Sequence, residues 1–321
     1  MRAPLVTVLM PVYNAAAFLQ QALDSISAQS LDDFELIVVD DGSTDDSPAI
    51  LAAHAAREPR LVVVRQPNAG ISAALNTGLA RARGEFVARM DADDLMHPQR
   101  LARQVAFLRA HPALGFCASA LELIDTHGRV FEHHHPGPRS EAELQAMLER
   151  RAPLTFTHPS VMLHAAALHG LDGYRPEFEP CEDMELFGRL ILVGRPGLVM
   201  DEPLLRYRVH TASISGSRIA RQRREQEFVR ARFYAARGGD ELTRARHAID
   251  LAARRWPERL AAHARLRHDV ALKTALFHRA GGRPLRALLS TGLAAAWRPA
   301  HALRVAARRV FGAPPAPLAD A

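Results

Sequence analysis

The chain has 321 residues, 48% apolar and 24% charged, with a formal net charge of +6; these proportions exclude wholesale disorder and supply ample material for a buried core. Two cysteines, Cys117 and Cys181, exclude a disulfide scaffold and a cysteine-rich zinc site, and fit a reducing compartment. Pro11 breaks the first apolar run and no stretch reaches the roughly 18 apolar residues of a membrane span, so neither a signal peptide nor a transmembrane helix is expected.

Residues 1–110 alternate strand and helix. Val6–Val12 is a nearly continuous apolar run, the pattern of a strand buried on both faces. Helical spacing covers 15–28, with Phe18, Leu19, Ala22 and Ile26 on one face. Glu35–Val39 reads as the second strand. Ser47-Pro48 supplies an N-cap followed by proline and opens a helix over 47–57. Leu61–Arg65, a helix over 71–83 and a strand over 85–90 follow. Pro98 opens a helix ending near Arg109, and Gly115–Ile124 reads as a fifth strand. Ser140 and Glu143 form a capping box before a helix over 140–151. A shorter helix covers 183–193, among short strands over 156–215. From Gly216 the chain is helical and rich in Ala and Arg, with breaks at Gly238-Gly239, Gly281-Gly282 and Pro299. Strand–helix repetition of this kind predicts an α/β fold with a mostly parallel, Rossmann-like sheet flanked by helices.

In such sheets ligands bind beyond the carboxyl ends of the strands. Here those ends read Pro11-Val12-Tyr13-Asn14, Asp40-Asp41-Gly42-Ser43, Asn68-Ala69-Gly70 and Asp91-Ala92-Asp93-Asp94. Asp91 and Asp93 leave an apolar strand two residues apart. Mg²⁺ or Mn²⁺ would relieve their charge and hold a diphosphate; a helix-capping turn using Asp94 or His97 is the alternative. Neither a Gly-x-Gly-x-x-Gly nor a Walker A pattern occurs, so the usual dinucleotide and P-loop readings lack support.

Pro11-Val12-Tyr13-Asn14, Val39-Asp40-Asp41-Gly42-Ser43-Thr44-Asp45, Asn68-Ala69-Gly70, Asn76-Thr77-Gly78, Gly84-Glu85-Phe86 and Met90-Asp91-Ala92-Asp93-Asp94 together resemble the family 2 glycosyltransferases, inverting enzymes of the GT-A fold. Downstream, Gly173-Tyr174 with Cys181-Glu182-Asp183 resembles the family's acceptor-side acidic motif. Leu205-Arg206-Tyr207-Arg208-Val209-His210, with Ser213, resembles the segment that closes the domain. The resemblance covers 4–215. It implies a GT-A domain over 1–215, with a nucleotide-sugar half over 1–110 and an acceptor half over 111–215. A basic helical region over 216–321 would follow.

The resemblance also implies roles. Pro11 and Tyr13 would line a nucleoside pocket. Asp41 would hydrogen-bond the base with Asp40 beside it. Asn68, Gly70 and Asn76 fall with the donor-binding residues. Asp91 would contact the ribose or a metal-bound water. Asp93, with Asp91 and His210, would hold Mn²⁺ or Mg²⁺ against the diphosphate. Asp183 would be the general base, supported by Glu182. The implied activity is inverting transfer of a single sugar from a nucleotide diphosphate sugar to a hydroxyl of a saccharide or lipid-linked saccharide, in cell-surface polysaccharide biosynthesis. One sugar per acceptor is expected because Ala252-Ala253-Arg254-Arg255-Trp256 carries Ala where processive members have Gln. Competing readings are a nucleotide-sugar-forming nucleotidyltransferase, whose Gly-rich loop is missing from 8–20, and a non-catalytic membrane- or nucleic-acid-binding adaptor.

Three further features stay outside this scheme. His133-His134-His135 reads as a solvated loop rather than a metal site. His158 is either a cleft residue or a structural histidine, and Cys181 reads as a cleft-wall thiol. Charge divides the chain: residues 1–217 carry 19 basic and 27 acidic side chains, residues 218–321 carry 22 and 8. Amphipathic stretches over 283–311 fit an anionic membrane surface; a helical subdomain with a solvated or domain-facing Arg face fits equally. Nucleic acid is disfavoured because no reading motif accompanies the charge. The expected location is the cytoplasm, peripheral at the inner face of the cytoplasmic membrane.

Overall fold

The structure is a computed structural model that describes residues 2–210, 219–253 and 256–297. Ser213 and residues 298–311, part of the expectations above, lie outside the described residues.

The first four strands follow the apolar runs. They are β1 (Val6–Val12), β2 (Phe34–Asp40), β3 (Leu61–Arg65) and β4 (Phe86–Arg89), connected by α1 (Ala16–Ser27), α2 (Ser47–Ala55) and α3 (Ile71–Leu79). β2 is buried at every position. Its one acidic residue before the carboxyl end, Glu35, is satisfied by the Thr7 hydroxyl at 2.7 Å and by the Arg83 backbone N–H and guanidinium. All three pairings β3–β2, β2–β1 and β1–β4 are parallel. Ligand-facing loops therefore gather at one edge of this half-sheet.

The second half is mixed. After β5 (Leu95–Met96) and α4 (Arg100–Ala110) come β6 (Phe116–Ile124), β7 (Val130–His134), α5 (Glu141–Glu149), β8 (Met162–His164), α6 (Glu182–Leu192) and β9 (Gly197–Arg208). The order is β3-β2-β1-β4-β8-β6-β9-β5, with β7 on β6. The fifth expected strand, β6, does not pair with β4. The three-residue β8 inserts antiparallel between them. Ser140 caps α5 as the sequence suggests, its hydroxyl accepting the Glu143 N–H at 3.2 Å.

The expected loop at His133-His134-His135 is corrected in part. His133 and His134 belong to β7, which borrows the backbone edge of β6, while all three side chains are exposed. Backbone pairing, blind to side-chain pattern, carries this strand.

The chain divides into two compact units. One holds residues 1–208 and 225–243, the other 209–224 and 244–321. In the first unit, residues 225–237 of α7 (Ile219–Arg237) supply Phe228 and Val229 to a cluster with Phe178 and Cys181. Cys181, 1% exposed, is thus a core residue rather than part of a cleft wall. The Tyr234 hydroxyl of the same helix donates to the Ala152 carbonyl at 2.8 Å. The second unit contains α8 (Arg244–Ala253), α9 (Trp256–Ala280) and α10 (Pro284–Trp297). No helix among the described residues is long and apolar enough to cross a membrane.

Candidate active site

The loop after β4 brings three carboxylates together. One oxygen from each of Asp91, Asp93 and Asp94 lies within 4.8 Å of the others. Asp94 is fully buried. Its Oδ1 accepts the Arg208 backbone N–H at 2.7 Å, while its Oδ2 has no hydrogen-bond partner among the described residues. Burial, reinforced by the negative charges of Asp93 and Asp91, pushes the Asp94 carboxyl well above its usual range. A buried oxygen without a partner beside two more carboxylates is a poor arrangement for the protein alone. It fits a hard divalent cation with oxygen ligands. The sequence reading placed Asp94 only as a helix cap. His210 is not one of the three; it follows Arg208 by two residues and falls in the second unit.

Two arginines hold this loop, and neither was singled out from the sequence. Arg89, on β4 and 3% exposed, pairs with Asp91 at 2.5 Å. Arg208, at the end of β9 and 1% exposed, donates to the Asp93 carbonyl at 2.7 Å, to the Asp125 carbonyl at 3.1 Å and to the Gln21 side chain at 3.0 Å. Its guanidinium also lies 4.4 Å from the Phe18 ring centre. For Arg89 the available signal was a charged residue at the end of an otherwise apolar strand, which burial makes costly without partners; β9 also carries Asp201, Glu202 and Arg206, so Arg208 gave no such signal.

The acidic pair sits at the start of α6, where the helix dipole favours negative charge. Glu182 is 5% exposed, whereas Asp183 is partly open to solvent. Burial raises both carboxyls, Glu182 to about 8 with the Asp183 charge contributing. The positive field of Arg89 opposes both shifts, while the charge of Asp91 adds to that of Asp183. Arg89 thus ion-pairs with the first acidic group and acts electrostatically on the second. His158 is buried and meets the Tyr174 hydroxyl at 2.8 Å; burial first, then Arg89, keep its ring neutral. That resolves His158 as a structural histidine.

Of the residues expected on the donor side, Pro11, Tyr13, Asp40, Asp41, Asn68 and Gly70 lie at or just beyond the carboxyl ends of β1, β2 and β3, and Asn76 lies within α3. Pro11 is half-buried at the end of β1 and Tyr13 is 53% exposed beyond it. Asp40 accepts the Ser43 N–H at 2.9 Å and lies 3.4 Å from the Arg65 guanidinium. Asp41 accepts from the Gln66 amide at 2.7 Å and from the backbone N–H groups of Ala69 and Gly70 at 3.0 Å each. Its carboxylate therefore shapes the loop that presents the exposed Asn68. Gly70 has φ of +92°, a conformation glycine adopts without strain. Asn76 spends its side-chain amide on the Tyr174 backbone, accepting at 2.8 Å and donating at 2.7 Å. It fixes the segment leading to α6, a use that its motif alone did not reveal.

The family model for glycosyl transferase family 2 matches residues 7–168, half of the chain. The chain belongs to this family. It is similar to EpsE of Bacillus subtilis, 32% identical over 209 residues, spanning 64% of this chain and 73% of that protein. EpsH of the same organism is 30% identical over 219 residues, spanning 67% of this chain but 63% of EpsH, so part of that relative has no counterpart in the match. The amylovoran biosynthesis glycosyltransferase AmsE of Erwinia amylovora is 28% identical over 228 residues, spanning 70% and 82%. Among solved structures, the mannosyltransferase PcManGT of Pyrobaculum calidifontis, determined with GDP-Man and Mn²⁺, superimposes with a TM-score of 0.56 at 22% identity, covering 98% of this chain and 89% of that one. That likeness carries the GT-A fold of this glycosyltransferase family member.

Proposed function

We propose that the chain is a metal-assisted, inverting glycosyltransferase that moves one sugar from a nucleoside diphosphate sugar to a hydroxyl of a saccharide or lipid-linked saccharide. The carrying observation is Arg89, which pairs with Asp91 and reaches Asp183 through its field. It draws the cation-binding carboxylates and the candidate base into one electrostatic neighbourhood.

Asp183 takes the proton of the acceptor hydroxyl. The acceptor oxygen forms a bond to the anomeric carbon while the bond from that carbon to the diphosphate oxygen breaks. The leaving nucleoside diphosphate keeps the electron pair, and configuration inverts. Asp183 suits the role because it is the less buried member of the pair, half-buried where Glu182 is buried. A raised carboxylate pKa makes a better base. Asp91, Asp93 and Asp94 would hold Mn²⁺ or Mg²⁺, and the bound ion would offset charge on the diphosphate. Pro11, Tyr13, Asn68 and Gly70 would border the nucleoside. Asp40 and Asp41 would shape that pocket, with a remaining acceptor position of Asp41 available to the base. The relative AmsE, by its name, serves amylovoran biosynthesis, which supports a biosynthetic setting for this chain.

The test is turnover of a panel of UDP-, GDP-, dTDP- and CDP-sugars with Mn²⁺ and saccharide acceptors. One donor should be consumed with inversion at the anomeric carbon. Asp183→Asn should lower turnover by about 10²-fold or more while leaving donor binding intact. Full turnover by a folded Asp183→Asn variant would remove Asp183 from the mechanism.

A further inference from the structure

In the second unit, α9 turns through Gly281-Gly282 into α10, and the two helices pack together. The packed face of α10 is made of small residues. Ala294 is fully buried and Ser290 is 9% exposed. The Ala294 carbonyl accepts a hydrogen bond from His268 Nδ1 at 2.8 Å. Ala287 and Thr291 lie on the same face at helical spacing.

The opposite face carries the large apolar side chains. Leu285, Leu288, Leu289 and Leu293 are 76%, 67%, 70% and 60% exposed, and Trp297 is 40% exposed at the end of the same stripe. This inverts the usual arrangement, in which a helix buries its leucines and shows its small or polar residues. Leaving leucines in water forgoes the burial that stabilises a fold, so four displayed in a row mark a surface that is covered in use.

Charge says what covers it. From 270 through 319 the chain has no Asp or Glu and carries eight basic residues. Of these, Arg279, Arg283 and Arg286 are exposed at the entrance to α10 and along its first turn. A second copy packed parallel to this helix would bring these arginines against one another. A surface that is apolar within and negative at its rim satisfies both features together. The helix has 14 residues, too few to cross a bilayer, which leaves it lying in the plane of the interface. An indole at one end of the stripe suits the headgroup level.

We infer that α10 docks its Leu285–Trp297 stripe into an anionic lipid surface, with Arg283 and Arg286 meeting the headgroups. The inference stands apart from the assignment of donor, metal and base, since no residue is shared between them.

The full chain is tested by flotation with phosphatidylcholine vesicles, with and without phosphatidylglycerol. The wild type should float with the anionic vesicles and not with neutral ones. Leu288→Gln combined with Leu289→Gln should weaken binding at least about tenfold, and so should Arg283→Glu combined with Arg286→Glu. These side chains are exposed, so the helical circular dichroism should persist in both variants. Absence of wild-type flotation with anionic vesicles overturns the inference. So does equal flotation of the leucine variant. A lipid-free dimer that the leucine variant abolishes would assign the stripe to a second copy instead.

Discussion

The carboxylate of Glu179 accepts the backbone N–H of Ser72 at 2.8 Å, across 107 residues of sequence. Ser72 is in the first turn of α3, whose N-cap, Gly70, provides no side chain. Glu179 therefore supplies from a distance the acceptor that a capping residue normally supplies locally. A β-carbon on Gly70 would come within 3.1 Å of both Glu179 carboxylate oxygens. The loop carrying Asn68 and Gly70 is thus held on one side by Asp41 and on the other by the segment leading to Asp183.

Replacing Glu179 with Ala should cost about 1 kcal/mol of stability, the usual value of a lost cap. It should also raise KM for the sugar donor several-fold while changing kcat less, because the loop rather than the base is loosened. Chemical denaturation and initial rates over a donor series read the two effects separately.

Glu185 should be the most sensitive residue of α6 for stability. It is 4% exposed and lies within 2.8–3.4 Å of the guanidinium groups of Arg189, Arg232 and Arg175. Arg189 in turn donates to the carbonyls of Leu171 and Gly173. Glu185→Ala should destabilise by about 3 kcal/mol, read as a lower denaturant midpoint. Glu185→Gln should recover part of the loss, since one amide oxygen still accepts hydrogen bonds.

The backbone at Gly173 depends on Asn76. Its φ is +65°, and a β-carbon there would clash with the Asn76 Oδ1 atom. Gly173→Ala should therefore be destabilising, and Asn76→Ala should cost about 2 kcal/mol through the two hydrogen bonds lost to Tyr174. Because both changes break the same junction, their effects should fall short of additive in the double variant. Thermal denaturation of the two single variants and the double variant checks this.

Glu182 should make the protein less stable as pH rises. Its pKa is about 8 in the folded chain, above the ordinary carboxylate value, chiefly through burial. Between the unfolded and folded values the native state holds the extra proton, so stability declines with rising pH across that window. Glu182→Gln removes the charge and should flatten the decline, gaining on the order of 1–3 kcal/mol at pH 8 relative to wild type. Activity should move the other way, rising with pH as Glu182 and Asp183 lose their protons. Melting temperatures and pH–rate profiles of both proteins provide the comparison.

The parts of the fold visible in the sequence are those written in local pattern. The apolar runs of β1 and β2 and the face of Phe18, Leu19, Ala22 and Ile26 on α1 needed no partner to be recognised. β8 did not announce itself, because three residues are too few for a period and its neighbours Phe86 and Phe116 lie far off in the chain. β7 was hidden by His133 and His134, whose side chains do not make the pairing. At the candidate site, motif order located the acidic groups. Arg89 and Arg208 were missed because their roles follow from burial, which only the folded chain supplies. Asp94 entered only through the motif and as an alternative helix cap for the same reason: its partnerless oxygen is a property of packing, not of spacing. Asn76 was recognised by its motif, but its bond to Tyr174 joins residues 98 apart.

Binding of UDP, GDP, dTDP and CDP measured by calorimetry, with and without Mn²⁺, tests the central claim most directly. The account predicts that one nucleotide binds, that Mn²⁺ tightens it by about tenfold or more, and that Asp93→Ala abolishes the metal effect in a folded protein. Binding that ignores both Mn²⁺ and the Asp93→Ala change, or no binding of any nucleotide, would contradict it.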